Sequence, residues 1–232
     1  MGKIIMLKTL PLVVLCVVLG RGTPAADAAA ATPLKANERI VFFGDSITVQ
    51  GSEPNGFLRT IYAQLQTKYK DLHVDVVNAG VASNQITHLQ RRVESDVIAR
   101  KPTLVVIYIG INDVYAFPEP NKEGFATGLK EVIAKIEKSG ARVILCTPSV
   151  INEKKPGTNA KDSGLDAIAA ISRTIAKERK LVLCDLRQAF VSYETAHNPQ
   201  DLEKGILTVD GIHLTPLGNQ LVAEELMKAL GM

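Results

Sequence analysis

The 232-residue chain has no tryptophan, and aromatic residues make up only 5% of it. A flavin ring held between aromatic side chains therefore finds few partners here. Cysteines number three and histidines four. Cys16 falls in an apolar N-terminal run, which leaves Cys146 and Cys184, each at the end of another apolar run. A zinc site needs more ligands at closer spacing. The two cysteines read as buried thiols, with a disulfide as the alternative in an oxidising compartment. No run of Lys and Arg exceeds two residues, so nothing marks a nucleic-acid partner. No apolar stretch reaches the roughly 20 residues of a membrane span. Internal repeats and low-complexity inserts are missing too. With 46% hydrophobic and 22% charged residues, the composition is that of a globular protein.

The N-terminal segment has a character of its own. Met1 to Lys8 carries two lysines, Thr9 to Gly20 is almost wholly apolar, and Ala26-Asp27-Ala28 supplies a small-x-small site. That order of features predicts a secretory signal peptide over residues 1–28. A short Ala/Pro-rich tether over 29–37 and one domain over 38–232 follow. Cys16 does not suggest a lipoprotein, because Leu15 stands where a small residue is wanted. Loss of Lys3, Lys8, Arg21 and Asp27 with the signal takes the formal net charge from +3 to +1. The expected product is exported, periplasmic or secreted, with no stable membrane insertion once the signal is removed.

Beyond the tether, short apolar runs alternate with helical patterns. The runs are Ile40–Phe43, Val74–Val77, Leu104–Ile109, Arg142–Cys146 and Leu181–Cys184. Runs this continuous fit strands covered on both faces. Ile86, Leu89, Val93 and Val97 form one helical stripe, and Phe125, Leu129, Val132, Ile133 and Ile136 a second, closed by Gly140. Leu165, Ile168 and Ile175 mark a third. Leu217, Leu221, Val222 and Leu230 mark the last, which opens with Thr215 as N-cap and Pro216 behind it. The alternation predicts a three-layer α/β/α sandwich around a parallel sheet. In such sheets ligands bind beyond the carboxyl ends of the strands.

Those ends carry the informative residues. Gly44-Asp45-Ser46 follows the first strand, Asn78-Ala79-Gly80 the second, and Gly110-Ile111-Asn112-Asp113 the third. Asp210-Gly211-Ile212-His213 stands just before the last helix. Each alone is unremarkable: a tight turn, a helix cap, a surface imidazole. Together they form a set for acyl transfer. Ser46 would be the nucleophile, His213 its base, and Asp210 the group that holds the imidazole. The N–H groups of Ser46 and Gly80 and the side-chain amide of Asn112 would receive the developing oxyanion.

These segments, in this order, resemble the blocks of the GDSL-type esterases and lipases of the SGNH-hydrolase superfamily. The resemblance rests on "FFGDSIT", "VVNAGVASN", "IGIND" and "DGIHLTPLG", and spans residues 40–218. It implies a flavodoxin-like five-stranded parallel sheet of order 2-1-3-4-5, the SGNH hydrolase fold. It also implies an ester hydrolase that uses no metal or cofactor. Where many members carry glycine after the second block, this chain has Ala82-Ser83, which points to a narrower local pocket. Position 48 is Thr, so Ser46 lacks the Gly-x-Ser-x-Gly elbow of α/β-hydrolases.

The expected partner is a small-molecule or glycan ester, with a leaning to short-chain and acetyl esters of carbohydrates. Lysophospholipids and other lipid esters are the alternative within the family. An inactive glycan- or ligand-binding module is the alternative of another class. A phosphate- or flavin-binding loop would want more Ser, Thr and Gly than Ser46 and Thr48 supply. A strand-one aspartate phosphatase built on Asp45 would want an acid at Ile47. His73, His88 and His197 read as exposed, Tyr108 as core, and Tyr115 and Phe117 as candidates for lining an acyl pocket. The polar run Asn152–Asp162 reads as a surface loop, or as a flap over the same edge.

Overall fold

A computed structural model describes residues 31–232. The expected signal peptide over 1–28 and the first two residues of the tether lie outside the described residues.

In chain order the elements are β1 (Arg39–Gly44), α1 (Ser46–Gln50), α2 (Phe57–Thr67), β2 (Asp75–Gly80), α3 (Ile86–Asp96), β3 (Leu104–Tyr108) and α4 (Ile111–Tyr115). They continue with α5 (Lys122–Lys138), β4 (Arg142–Cys146), α6 (Asp162–Arg179), β5 (Val182–Cys184), α7 (Leu186–His197) and α8 (Pro216–Ala229). All five strands are parallel and ordered β2-β1-β3-β4-β5. The right-handed crossovers of such a sheet place α2 and α8 together on one face, and α3, α5 and α6 on the other. Central strands β1 and β3 are therefore apolar on both sides: Ile40, Val41, Phe43, Leu104, Val105 and Ile107 are fully buried.

Several helices follow the apolar spacing of the sequence. Leu129, Val132, Ile133 and Ile136 of α5 are fully buried, and Asn121 caps that helix by accepting the Gly124 N–H. In α8 the buried face is Val222, Ala223, Leu226 and Ala229. Leu217, expected on that face, lies in the first turn of the helix and is 44% exposed. The short Gly80 strand end also differs from expectation, since β2 continues through it. The described part of the tether is docked: Thr32 N–H donates to Ala229 O at 3.0 Å, and Leu34 packs against the core.

Candidate active site

β1 ends at Gly44, held between Gly80 of β2 and Tyr108 of β3. The chain then turns into α1, with Asp45 as N-cap: its carboxylate accepts the Ile47 N–H at 3.0 Å. Ser46 is thereby the first residue of a five-residue helix and stays half-buried at the strand edge. Asn78 holds the other end of α1. Its Nδ2 donates to Thr48 O at 2.8 Å, Val49 O at 3.2 Å and Ser52 Oγ at 2.7 Å. Its Oδ1 accepts the Gly80 N–H at 2.9 Å. The Gly80 N–H, expected to face the oxyanion, is thus engaged by Asn78 in this structure. The reason for glycine there is α1 itself: a Cβ would come within 2.5 Å of Val49 N and 2.9 Å of Asp45 O.

From the far end of the chain, a small hairpin brings in the remaining groups. Thr208 and Leu214 form an antiparallel bridge, and Val209 N–H donates to His213 O at 2.8 Å. Within it, Asp210 Oδ1 accepts the N–H groups of Ile212 at 2.9 Å and His213 at 2.8 Å. Gly211 takes φ +96°, a conformation that favours glycine. Asp210 Oδ2 then lies 2.7 Å from His213 Nδ1, and His213 Nε2 lies 3.0 Å from Ser46 Oγ. Partial burial pushes the Asp210 carboxyl up. The hydrogen bonds from the His213 ring and from the two backbone N–H groups outweigh that and hold it at about 2. A carboxylate fixed in this way keeps a proton on Nδ1 and leaves Nε2 free to accept from the serine hydroxyl.

Asn112 enters from α4. Its Nδ2 donates to Asn84 O at 3.0 Å, while the contact to Asp45 Oδ2 is 3.5 Å, at the limit of a hydrogen bond. One amide N–H is thus well held and the second is only weakly engaged. Two buried acids flank this amide. Burial raises Asp45 to about 7 and Asp113 to about 6. Asp113 accepts the Ile86 N–H at 3.1 Å, and so joins α4 to the start of α3.

Sequence reasoning missed Arg92, which ties the strand ends together. Its Nε donates to Asn84 Oδ1 at 2.7 Å, Nη1 to Ala79 O at 2.7 Å and Nη2 to Gly44 O at 2.8 Å. The guanidinium also lies 4.5 Å over the Phe43 ring. One side chain thereby fixes the ends of β1 and β2 and the residue that holds Asn112. An arginine late in an amphipathic helix looks like a solvated charge in sequence, and only the fold reveals three carbonyl-type acceptors around it.

The other sequence candidates fall as follows. Tyr108 is core, its hydroxyl 2.8 Å from Ser149 Oγ. Tyr115 and Phe117 are exposed, and Lys161 Nζ pins their segment by donating to Val114 O and Phe117 O. His73 and His197 stay at the surface, whereas His88 is half-buried and its Nδ1 accepts the Gln85 N–H at 3.1 Å, capping α3. Cys146 and Cys184 are in-register neighbours on β4 and β5, buried and unbonded. The neighbouring Cys146 thiol, with burial, pushes the Cys184 thiol up. The run Asn152–Asp162 is no plain surface loop: Glu153 is fully buried and Asn152 N–H donates to Gly211 O at 2.7 Å. Among the described residues, no three His, Cys, Asp or Glu side chains converge as a metal site would require, and no helix is long and apolar enough to cross a membrane.

The model of the GDSL-like lipase/acylhydrolase family matches residues 42–221. An acetylxylan esterase of Geobacillus stearothermophilus is 28% identical over 215 residues, covering 84% of this chain and 94% of its own. The crystal structure of the acetyl xylan esterase AlAXEase superposes with a TM-score of 0.79 at 34% identity, over 83% of this chain and 99% of that one. The structure of Axe2, an acetylxylan esterase from Geobacillus stearothermophilus, gives a TM-score of 0.76 at 26% identity, over 87% and 97% of the two chains. Alanine variants of Axe2 at a serine, an aspartate and a histidine are described as catalytic mutants.

Proposed function

Since the chain belongs to the GDSL-like lipase/acylhydrolase family and is a carboxylic ester hydrolase on the SGNH fold, we propose that it removes acetyl groups from carbohydrate esters through an acyl-enzyme on Ser46. The observation that carries this reading is the unbroken chain from Asp210 through His213 to Ser46 Oγ, with spacings of 2.7 and 3.0 Å, at the strand edge. The relatedness to acetylxylan esterases supports the acetyl and carbohydrate parts.

In this mechanism Ser46 Oγ attacks the ester carbonyl as His213 Nε2 takes its proton. Asp210 stabilises the imidazolium through Nδ1–H. The Ser46 N–H and the weakly engaged N–H of Asn112 Nδ2 receive the oxyanion. Imidazolium then protonates the departing alcohol, and the acetyl-enzyme remains. Water, deprotonated by His213, attacks it, releases acetate and restores the serine. Export of the mature enzyme through the segment 1–28 fits a polysaccharide substrate outside the cell.

A matched panel tests the substrate. Acetylated xylo-oligosaccharide, an acetyl aryl ester, an octanoyl aryl ester and a lysophospholipid are compared by kcat/KM. The proposal expects both acetyl substrates to exceed the other two by about tenfold or more, the scale on which a pocket discriminates chain length. Preference for the octanoyl ester or the lysophospholipid would assign the enzyme to lipid esters instead.

A further inference from the structure

The hairpin that carries Asp210 and His213 leans on the main core through Leu207, Ile212 and Leu214. Its base is also held by one buried side chain from the segment after β4. Glu153 is fully buried. Its Oε1 accepts the Thr208 N–H and the Thr208 hydroxyl, both at 2.6 Å. Its Oε2 accepts the Leu207 N–H at 3.0 Å and the Ile206 N–H at 3.2 Å. Three successive backbone N–H groups thus converge on one carboxylate, an anion nest closed by a hydroxyl. The backbone repeats the connection on both sides: Glu153 N–H donates to Glu203 O at 2.7 Å and Asn152 N–H to Gly211 O at 2.7 Å.

We propose that Glu153 is a positioning residue for ester hydrolysis, setting through Ile206, Leu207 and Thr208 where His213 stands relative to Ser46. The inference rests on the reading that Ser46, His213 and Asp210 perform the chemistry. Thr208 begins the bridge to Leu214, and His213 is the residue before Leu214. A shift at the base of this hairpin is therefore passed to the imidazole with little flexible chain in between. The 3.0 Å spacing between Nε2 and Ser46 Oγ leaves small tolerance, since a misplacement of about 1 Å can cost on the order of 10²-fold in rate. Among the described residues, no other charged side chain holds these three N–H groups, so a neutral replacement leaves buried donors facing an amide that also donates.

The test compares Glu153→Gln with a matched control, Glu38→Gln. Glu38 is also a buried acid, but it lies at the opposite end of the sheet, where it accepts from Lys35 N–H, Thr103 Oγ1 and Arg142. Both variants are assayed on an aryl acetate well below their unfolding temperatures, with the rate of Ser46 labelling by a serine-directed fluorophosphonate as a second readout. The proposal predicts that Glu153→Gln lowers kcat on the order of 10–100-fold, leaves KM within about twofold, and slows labelling in parallel. Glu38→Gln should lower thermal stability with kcat unchanged. A Glu153→Gln enzyme with kcat within about twofold of wild type overturns the inference. So does a control that loses kcat to the same degree. If Glu153→Gln does not fold, Thr208→Val decides: it removes one of the four donors, and a kcat loss of about threefold or more supports the proposal, while an unchanged kcat overturns it. Ser46→Ala separates the two levels. Full activity there sinks the reading of the site itself, whereas an inactive Ser46→Ala beside a normal Glu153→Gln sinks only the role of Glu153.

Discussion

Glu194 lies on α7, 4% exposed, with Oε1 lacking any hydrogen-bond partner among the described residues. Burial, and then the nearby charge of Glu153, raise its carboxyl from 4.5 to about 8, with Arg187 opposing. An acid whose folded pKa is raised contributes its full stability below the unfolded value and loses it as pH climbs to the folded one. The relevant window is therefore 4.5 to about 8. Each pH unit in that window is worth about 1.4 kcal/mol, which sets an upper bound near 5 kcal/mol. Relaxation around the ionised group reduces this to roughly 2–5 kcal/mol. Glu194→Gln removes the titration. Urea unfolding of wild type and variant, run from about pH 5 to about pH 9, should give curves that nearly coincide in acid and diverge by that amount in base, the variant being the more stable. Asp45 and Asp113, raised to about 7 and about 6, titrate in the same direction. The difference between the two proteins, not either curve alone, is thus the quantity to read. Parallel curves across the whole range would refute the placement of a neutral Glu194 beside Glu153.

Asn112→Ala should lower kcat on an acetyl ester by about 10²–10³, the usual cost of one oxyanion donor; a loss below about threefold removes Asn112 from the mechanism. Arg92→Lys replaces a planar fork by a point charge and leaves Gly44 O, Ala79 O or Asn84 Oδ1 short of a donor. The expected cost is about 1–3 kcal/mol in urea unfolding together with a lower kcat, and an unchanged midpoint would contradict the clamp. A reducing agent should leave Tm unchanged, because Cys146 and Cys184 are free thiols. A disulfide there would be worth roughly 2–4 kcal/mol and would show as a drop of several degrees.

The architecture was legible because parallel strands buried on both faces must be continuous apolar runs, and five such runs stand out. Helix α2 was overlooked although Phe57, Leu58, Ile61 and Leu65 carry its buried face, since it follows a Gly/Ser-rich turn that masks its start. The meeting of Ser46, Asp210 and His213 was also legible, because strand ends and the segment before the last helix converge on one edge of such a sheet. The close approach of α1 to Gly80 is hidden in sequence, because a glycine that admits a substrate and one that admits a neighbouring helix look alike. The roles of Asn78, Arg92 and Glu153 stayed hidden because many of their partners are backbone groups, several of them distant in the chain. A side chain that serves a carbonyl or an N–H leaves no complementary residue to find.

The proposed mechanism stands or falls with Ser46 as the nucleophile. Treating the enzyme with a serine-directed fluorophosphonate and mapping the adduct, alongside aryl acetate hydrolysis by Ser46→Ala, tests that role. One adduct is expected, on the peptide containing Ser46, with a loss of hydrolysis of at least about 10³-fold in the variant. An adduct on another residue, or a Ser46→Ala enzyme that turns over at the wild-type rate, would contradict it.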